Sequence, residues 1–283
     1  MNFINNKKIN PLKHGAFQAM LIATAFVCLI LLLSFSENSR EKTQINLKVA
    51  AYNVQYGDKG SAKEIGKMLR SFGFHVVCMS EVPGGDWASQ VGKEMDLEYV
   101  ILGKYTTAGH DDKYKAILSK TPLYDITEVL MGDTLHTAVK AKTKIGGQEI
   151  SLYSVHFPFG WRDQAHIDET THKIQTFVEH LKTHRDNETA VVAGDFNFVP
   201  SKVDTMNMYH EMFKGIGYKL AGENVGMPYD SLRSMVGNKK RIGRVIDHIF
   251  YDPSKMNALQ AEIIELEKPL SDHKPVWASF QLE

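Results

Sequence analysis

The chain begins with a long apolar segment. The run from Ala16 to Ser36 has 21 residues, and Gln18 is its only strongly polar member. A membrane-spanning helix needs about 20 such residues, whereas the apolar core of a signal peptide has roughly 7–15. Length therefore favours an uncleaved transmembrane anchor. Cleavage after Ser34 or Ser36, which would make the segment a signal peptide, stays the alternative, while a buried core helix would need a polar face that is missing here.

Charge around this segment predicts its orientation. Three lysines lie within residues 1–15, and positively charged residues before an apolar segment stay on the cytoplasmic side. We therefore expect residues 1–15 to be cytoplasmic and the part of the chain after the apolar segment to lie outside. Residues 37–46 are polar and charged and are predicted to be a linker. The folded domain is expected over residues 47–283. We therefore expect a membrane-anchored protein with an extracytoplasmic domain, or a secreted protein if the segment is cleaved.

The domain starts with a strand followed by a helix. The run LKVAAYNV begins at Leu47 and has the composition of a strand. Ser61 and Glu64 then form a capping box before apolar residues at helical spacing, which predicts a helix. The next apolar run, HVVCMS, is predicted to be a strand that ends at Glu81.

Later runs indicate further strands and antiparallel pairing. Two runs flank a Gly-Gly pair and indicate a hairpin, at residues 137–143 and 149–157. A long helix through residues 167–181 leads into the continuous apolar strand AVVAGDF, and late strands are predicted at Val245–Tyr251 and Val276–Leu282. The sequence therefore predicts an α/β domain with a partly antiparallel sheet, and the pattern alone leaves open a single sheet or a two-sheet sandwich.

Composition adds limits on stability and partners. The 283 residues are 43% hydrophobic, enough to bury a core without disulfides. Lysine plus arginine and aspartate plus glutamate number 33 each, so no net charge draws the protein to polyanions. The main local basic run, Arg233–Arg244, could contact phosphates or form a solvated loop. We expect a monomeric catalytic domain.

The apolar strands lie next to polar residues that can bind metal or transfer protons. These residues are Asn53, Glu81, His156, Asp195, Asn197, Asp247, His248, Asp272 and His273. Taken singly, each has a structural explanation as a turn residue, a cap or a core histidine. Buried together, such groups are costly unless they are paired or bound to a metal. Because all six segments place them beside a strand, we expect one shared active site.

The oxygen ligands in this set suit a hard cation. Glu81, Asp272 and the amide oxygen of Asn53 favour Mg²⁺, with Mn²⁺ as the other choice, whereas zinc would want more imidazole or thiolate. A phosphate ester repels a nucleophile, so its hydrolysis needs a metal to withdraw charge and donors to hold the phosphoryl oxygens. This combination predicts a phosphoesterase.

The remaining residues suit the other parts of such a reaction. Asn197, His156 and His273 can donate hydrogen bonds to the phosphoryl oxygens. Asp195 follows a rigid buried strand and can orient and deprotonate the water. Asp247 can hold His273 in its working tautomer.

In these segments the sequence resembles the endonuclease/exonuclease/phosphatase superfamily, which includes pancreatic deoxyribonuclease, abasic-site endonucleases, neutral sphingomyelinases and inositol-polyphosphate 5-phosphatases. The resemblance is carried by AAYNVQYG, CMSEVPGG, YSVHFPFG, VVAGDFNFVP, GRVIDHIFYD and LSDHKPVWASF. GDFN and SDH in this order are strong signals, whereas the asparagine and glutamate motifs are individually weak. The resemblance implies a four-layered α/β sandwich of two mixed, largely antiparallel sheets with helices outside.

The resemblance also implies roles for individual residues. Glu81 would be the principal Mg²⁺ ligand, Asp195 the water-orienting base, and His273 the contact to the scissile phosphate. Beside them it assigns Asn53 and Asp272 to the metal site, and Asn197, Asp247 and His156 to the chemistry. Two departures, Ser80 where many members have glutamine and His156 where abasic-site endonucleases have tyrosine, disfavour a DNA-repair role.

The sequence therefore predicts Mg²⁺-dependent hydrolysis of phosphate esters by an activated water outside the cytoplasm. Nuclease and phospholipid or sphingomyelin hydrolase are its specific forms, and the choice between nucleic acid, phospholipid and a small phosphodiester stays open. The alternative from another class is a catalytically silent binding module on a membrane stalk. Retention of all the site residues disfavours it.

Overall fold

The computed structural model describes residues 46–159, 163–198, 205–229, 231–236 and 245–283. The predicted cytoplasmic segment, the apolar run and nearly all of the predicted linker lie outside these residues, as does most of the basic run. Within the described part of the chain, no helix is long and apolar enough to cross a membrane.

The first sheet contains six strands. They are β1 (Asn46–Asn53), β2 (Val76–Val82), β3 (Tyr99–Leu102), β4 (Tyr114–Ser119), β11 (Met256–Ile263) and β12 (Val276–Leu282). Their order is β11-β12-β1-β2-β4-β3. β1 and β2 at the centre are parallel, and the other pairs described are antiparallel.

The second sheet repeats this plan. Its strands are β5 (Tyr124–Leu130), β6 (Thr137–Ile145), β7 (Gln148–His156), β8 (Ala190–Asp195), β9 (Lys219–Leu220) and β10 (Asp247–Tyr251). Their order is β5-β6-β7-β8-β10-β9, with β7 and β8 as a parallel pair near the centre. β6 and β7 form the predicted hairpin, and its turn residues Gly146 and Gly147 both have positive φ, as such a turn requires.

In the described ranges, five α-helices pack against the sheets. They are α1 (Ala62–Arg70), α2 (Trp87–Met95), α3 (Gln164–His184), α4 (Thr205–Gly215) and α5 (Ala221–Asn224). The predicted capping box is present at α1, where Ser61 and Glu64 each accept a backbone N–H of the other. The long helix predicted through residues 167–181 is α3, whose buried residues recur on one face.

Alternation along the strands separates three apolar layers. In β1, Val49 and Ala51 pack between the two sheets against residues such as Val191 of β8. Ala50 and Tyr52, which point the other way, pack against α1 and α2. A third cluster joins the second sheet to α3 and α4. The order helix, sheet, sheet, helix confirms the predicted sandwich for the described residues.

Strand direction brings the polar residues to one edge. β1 and β2 run parallel and end together, with Asn53 opposite Ser80, and β7 and β8 end with His156 opposite Asp195. β10 and β12 run antiparallel to their neighbours, so their first residues lie where the other strands end. The late strand predicted from Val245 in fact starts at Asp247, which places this aspartate directly opposite Asp195.

Candidate active site

A bulge in β2 positions Glu81. The strand was predicted to end at this residue, but it continues to Val82, because the pairing with β4 shifts register between Met79 and Val82. Glu81 itself has φ 52°, a left-handed conformation that costs a non-glycine residue of order 1–3 kcal/mol. The bulge thus turns the carboxylate at the sheet edge and explains why the simple strand prediction was wrong at this end.

Asn53 connects two carboxylates from different sheets. Its Nδ2 lies 3.3 Å from Glu81 Oε1 and 3.0 Å from Asp195 Oδ2. Its Oδ1 accepts the backbone N–H of Gln55 at 2.9 Å. In this arrangement the amide orients both acids, and the role of its oxygen as a metal ligand stays a prediction.

Asp195 is held at the centre of the site. Its side chain is 2% exposed, and its Oδ1 accepts the N–H of Asn197 at 2.9 Å while Oδ2 faces Asn53. Burial raises its pKa, and the neighbouring His273 only partly opposes that effect. The preceding Gly194 has φ 151°, and a Cβ there would clash with the Val155 carbonyl oxygen of β7. The glycine before Asp195 is therefore required for close strand packing.

His156 approaches the same carboxylates from β7. Its Nε2 lies 3.5 Å from Asp195 Oδ2 and 4.0 Å from Glu81 Oε1. Burial lowers its pKa despite these charges, so the ring is neutral near pH 7. Its buried Nδ1 has no hydrogen-bond partner among the described residues. The Nε2 side of this neutral imidazole therefore faces the cluster, where it can donate or accept one hydrogen bond.

His273 and Asp247 form a buried pair. His273 Nδ1 lies 2.8 Å from Asp247 Oδ2, and its Nε2 points toward Asp195 Oδ2 at 3.7 Å. Burial opposes protonation of His273, but Asp247 and Asp195 outweigh it and raise its pKa to about 10. Ser271 Oγ accepts the His273 N–H, and Ser234 Oγ accepts the Asp247 N–H. The site thus contains a positioned imidazolium.

Asn197 and Asp272 lie at the rim. Asn197 has φ 53°, and its Nδ2 donates to the Phe157 carbonyl at 2.8 Å. Asp272 is the most exposed of the predicted acids, at 34%, and its Oδ1 is 4.0 Å from His273 Nε2. Both residues join the cluster, and their assigned roles stay predictions. His248 does not join it, because its ring packs among aromatic side chains and its Nε2 bonds to the Phe198 carbonyl.

Two residues of the site were missed from the sequence. Lys113 Nζ forms an ion pair with Glu81 Oε2 at 2.7 Å, although it lies 32 residues further along the chain. Gln55 Oε1 accepts the Asp272 N–H at 3.0 Å and so joins β1 to the segment before β12. The glutamine lies within the AAYNVQYG motif and could have been noticed. Lys113 is in a charged loop without such a signal.

The charges of the site fit a divalent cation. Four acidic side chains, Glu81, Asp195, Asp247 and Asp272, face the ammonium of Lys113 and the imidazolium of His273. Carboxylate oxygens of Asp195 and Asp247 lie within 4.8 Å of each other and of a ring nitrogen of His273. Asp247 Oδ1 is buried and has no hydrogen-bond partner among the described residues. This excess of oxygen donors over positive groups fits a hard metal ion.

Solved structures share this fold. An endonuclease/exonuclease/phosphatase from Beutenbergia cavernae has a TM-score of 0.72 at 15% identity, covering 84% of this chain and 72% of that one. A second from Bacteroides vulgatus has a TM-score of 0.60 at 16% identity, covering 84% and 99%. D. rerio TDP2, solved with a single-strand DNA product, has a TM-score of 0.64 at 15% identity, covering 83% and 99%. At these identities the likeness shows the fold alone.

The sequence itself gives the family. No curated protein matches the chain. The model of the Endonuclease/Exonuclease/phosphatase family, however, matches residues 50–273, which is most of the chain and includes the whole cluster from Asn53 to His273. Enzymes of this superfamily are generally metal-dependent phosphoesterases. The chain therefore belongs to the Endonuclease/Exonuclease/phosphatase family.

Proposed function

We propose that this protein is an Mg²⁺-dependent phosphodiesterase that hydrolyses its substrate by attack of an activated water. The observation that carries the proposal is the meeting of Glu81, Asn53 and Asp195 in one hydrogen-bonded group beside the His273–Asp247 pair. An acid cluster, a base and a cationic donor are the parts that phosphoryl transfer to water needs.

Glu81 would hold the metal, with Asn53 beside it and Asp272 as a further acidic residue of the site. Mn²⁺ would suit the same oxygen donors. When bound, the metal withdraws charge from the phosphate and so makes phosphorus a better electrophile. Burial works against ionisation of Glu81, but the Lys113 ammonium and the Asn53 amide, which both bond to its carboxylate, help to hold its pKa below the ordinary value, so the ligand is an anion at neutral pH.

Asp195 would deprotonate the attacking water. Asn53 and the Asn197 N–H each occupy one of its two oxygens, which fixes the carboxylate while lone pairs stay free for the water proton. Its raised pKa makes it a stronger base than a solvated aspartate. The water oxygen forms the new bond to phosphorus as the ester bond to the leaving oxygen breaks.

His273 would stabilise the charge that develops on the phosphoryl oxygens. Its Nε2–H points into the cluster while Nδ1 is bound to Asp247, which therefore acts as a positioning residue. Asn197 and neutral His156 would contact the phosphoryl or leaving oxygen. Of the two histidines, His273 carries a positive charge near pH 7 and His156 is neutral, so the two rings fit different tasks.

The proposed substrate is a phosphodiester outside the cytoplasm, because the apolar run Ala16–Ser36 favours export or membrane anchoring of the domain. Nucleic acid, phospholipid or sphingomyelin, and small nucleotides are the classes to compare. The fold likeness to TDP2, whose structure contains a single-strand DNA product, supports including single-stranded DNA among the first candidates.

The test uses the full-length protein in detergent micelles with bis-p-nitrophenyl phosphate. We expect turnover that requires Mg²⁺, stops with EDTA, and falls by at least about a hundredfold in Asp195→Asn. Asp168→Asn, at an exposed position on α3, is the matched control and should retain wild-type rates. Absence of metal-dependent turnover, with no effect of Asp195→Asn, would instead support the silent binding module.

A second set of assays identifies the substrate class. Turnover of p-nitrophenyl phosphate, compared with that of the diester, separates monoesterase from diesterase activity. A panel of DNA, RNA, sphingomyelin, phosphoinositides and nucleotides then shows which class of substrate the protein hydrolyses.

A further inference from the structure

The ion pair between Lys113 and Glu81 is part of the architecture of the site. The two side chains are only 26% and 18% exposed, and Nζ lies 2.7 Å from Oε2. Lys113 immediately precedes β4, whose first residue, Tyr114, pairs with Val82 just after the bulge that turns Glu81. The same β4 pairing therefore fixes both partners.

The loop before β4 holds the lysine in place. The Lys113 carbonyl accepts the Thr107 N–H at 2.7 Å, and the adjacent Asp112 Oδ1 accepts the Gly84 N–H at 2.8 Å. These bonds attach both sides of Lys113 to structured backbone. An ion pair made by a lysine on a flexible loop contributes little stability, because ordering the loop costs conformational entropy. Here the loop is already held by its own hydrogen bonds, so little further entropy is lost when the pair forms.

We propose that Lys113 is the resident counter-ion of Glu81, which a divalent cation must displace, and that the released ammonium binds the substrate phosphate. The inference rests on the proposed function, because it takes Glu81 as the metal ligand. Two cations at one carboxylate repel each other, so the ammonium weakens metal binding as long as it stays on Glu81.

The displaced ammonium needs another anion. The Lys113 side chain is about three-quarters buried, so leaving its charge unpaired in the site would be costly. A phosphate beside Glu81 offers that anion, and lysine binds phosphate as a point charge. Metal and phosphate should therefore bind cooperatively, each strengthening the other by the same factor. The protein would take up its metal firmly only together with a substrate.

The experiment measures Mn²⁺ affinity of the full-length protein by electron paramagnetic resonance, without substrate turnover. Each titration is made with and without dimethyl phosphate, an unreactive diester. In wild type we expect dimethyl phosphate to tighten Mn²⁺ binding several-fold. In Lys113→Met we expect Mn²⁺ alone to bind about tenfold more tightly, and dimethyl phosphate to add little. Lys113→Arg, which keeps the charge, should retain the wild-type coupling.

Two controls make the outcome specific. Lys104→Met removes a positive charge from the same loop, where Nζ lies over the Tyr105 ring, and should leave Mn²⁺ affinity unchanged. Glu81→Gln should weaken binding, which identifies the site being measured. Melting curves confirm that each variant is folded. If Lys113→Met does not fold, Lys113→Gln is used in its place.

The outcomes separate the two proposals. If Glu81→Gln has no effect on Mn²⁺ binding, the proposed metal site is wrong. If binding depends on Glu81 but Lys113→Met leaves the affinity within about twofold of wild type, the inference is overturned while the proposed function stands. Equal coupling to dimethyl phosphate in wild type and Lys113→Met would overturn it as well.

Discussion

Replacement of Asp247 by asparagine tests how the site keeps its imidazolium. Asparagine has the same size as the fully buried aspartate, and its amide oxygen can still accept a hydrogen bond from His273 Nδ1, which lies 2.8 Å from Asp247 Oδ2 in the wild type. The substitution removes only the negative charge. His273 is 6% exposed, and burial by itself disfavours its charged form. The negative charge of Asp247 makes the largest contribution to raising the pKa of His273 against this effect.

The expected size follows from the pair's geometry. An opposite charge in direct contact shifts a pKa by about 1–3 units, and each unit corresponds to about 1.4 kcal/mol. The pKa of His273, about 10 in the wild type, should therefore fall to roughly 7–9 in Asp247→Asn. Since the proposed mechanism needs the imidazolium, the alkaline limb of activity should move to lower pH by the same amount.

Stability should change in a defined pH window. A folded pKa above the unfolded value of about 6.5 stabilises the protein fully below that value, and the contribution is lost as pH rises through about 10. Asp247→Asn should reduce this contribution. As far as His273 is concerned, the difference in free energy of unfolding between wild type and variant should thus be fully present at neutral pH and below, and should be lost as pH rises through about 10.

Two measurements check the prediction. Histidine-labelled protein is titrated by NMR to follow His273 directly, and pH–rate profiles with bis-p-nitrophenyl phosphate follow activity. A His273 titration at the same pH in wild type and Asp247→Asn would refute the reasoning.

Three further changes test separate parts of the structure. Glu81→Gln should raise the Mg²⁺ concentration needed for half-maximal activity, and an unchanged requirement would count against Glu81 as a ligand. Ser61→Ala removes the cap of α1 and should lower the free energy of unfolding by about 1 kcal/mol in urea titrations, with activity intact. Gly194→Ala should destabilise the fold by more than about 3 kcal/mol, because its Cβ would clash with the Val155 carbonyl; near-wild-type stability would contradict that geometry.

The fold was largely predictable because its signals are local. The capping box at Ser61 and the Gly-Gly turn at residues 146–147 depend on neighbours a few residues apart, and both are present as expected. The bulge at Glu81 was not predicted, because it depends on the pairing of β2 with β4, about 35 residues later. Periodicity along one strand carries no information about the register of its partner.

The sequence by itself determined which residue types stand at the ends of buried strands, and therefore the kind of chemistry available. Only the tertiary structure decided which of them meet. Asn53 reaches Asp195 across 142 residues, His248 turns away into an aromatic cluster, and Lys113 pairs with Glu81 without any sequence signal. The physical reason is that strand order and sheet packing set these distances, and neither is written in the spacing of residues along the chain.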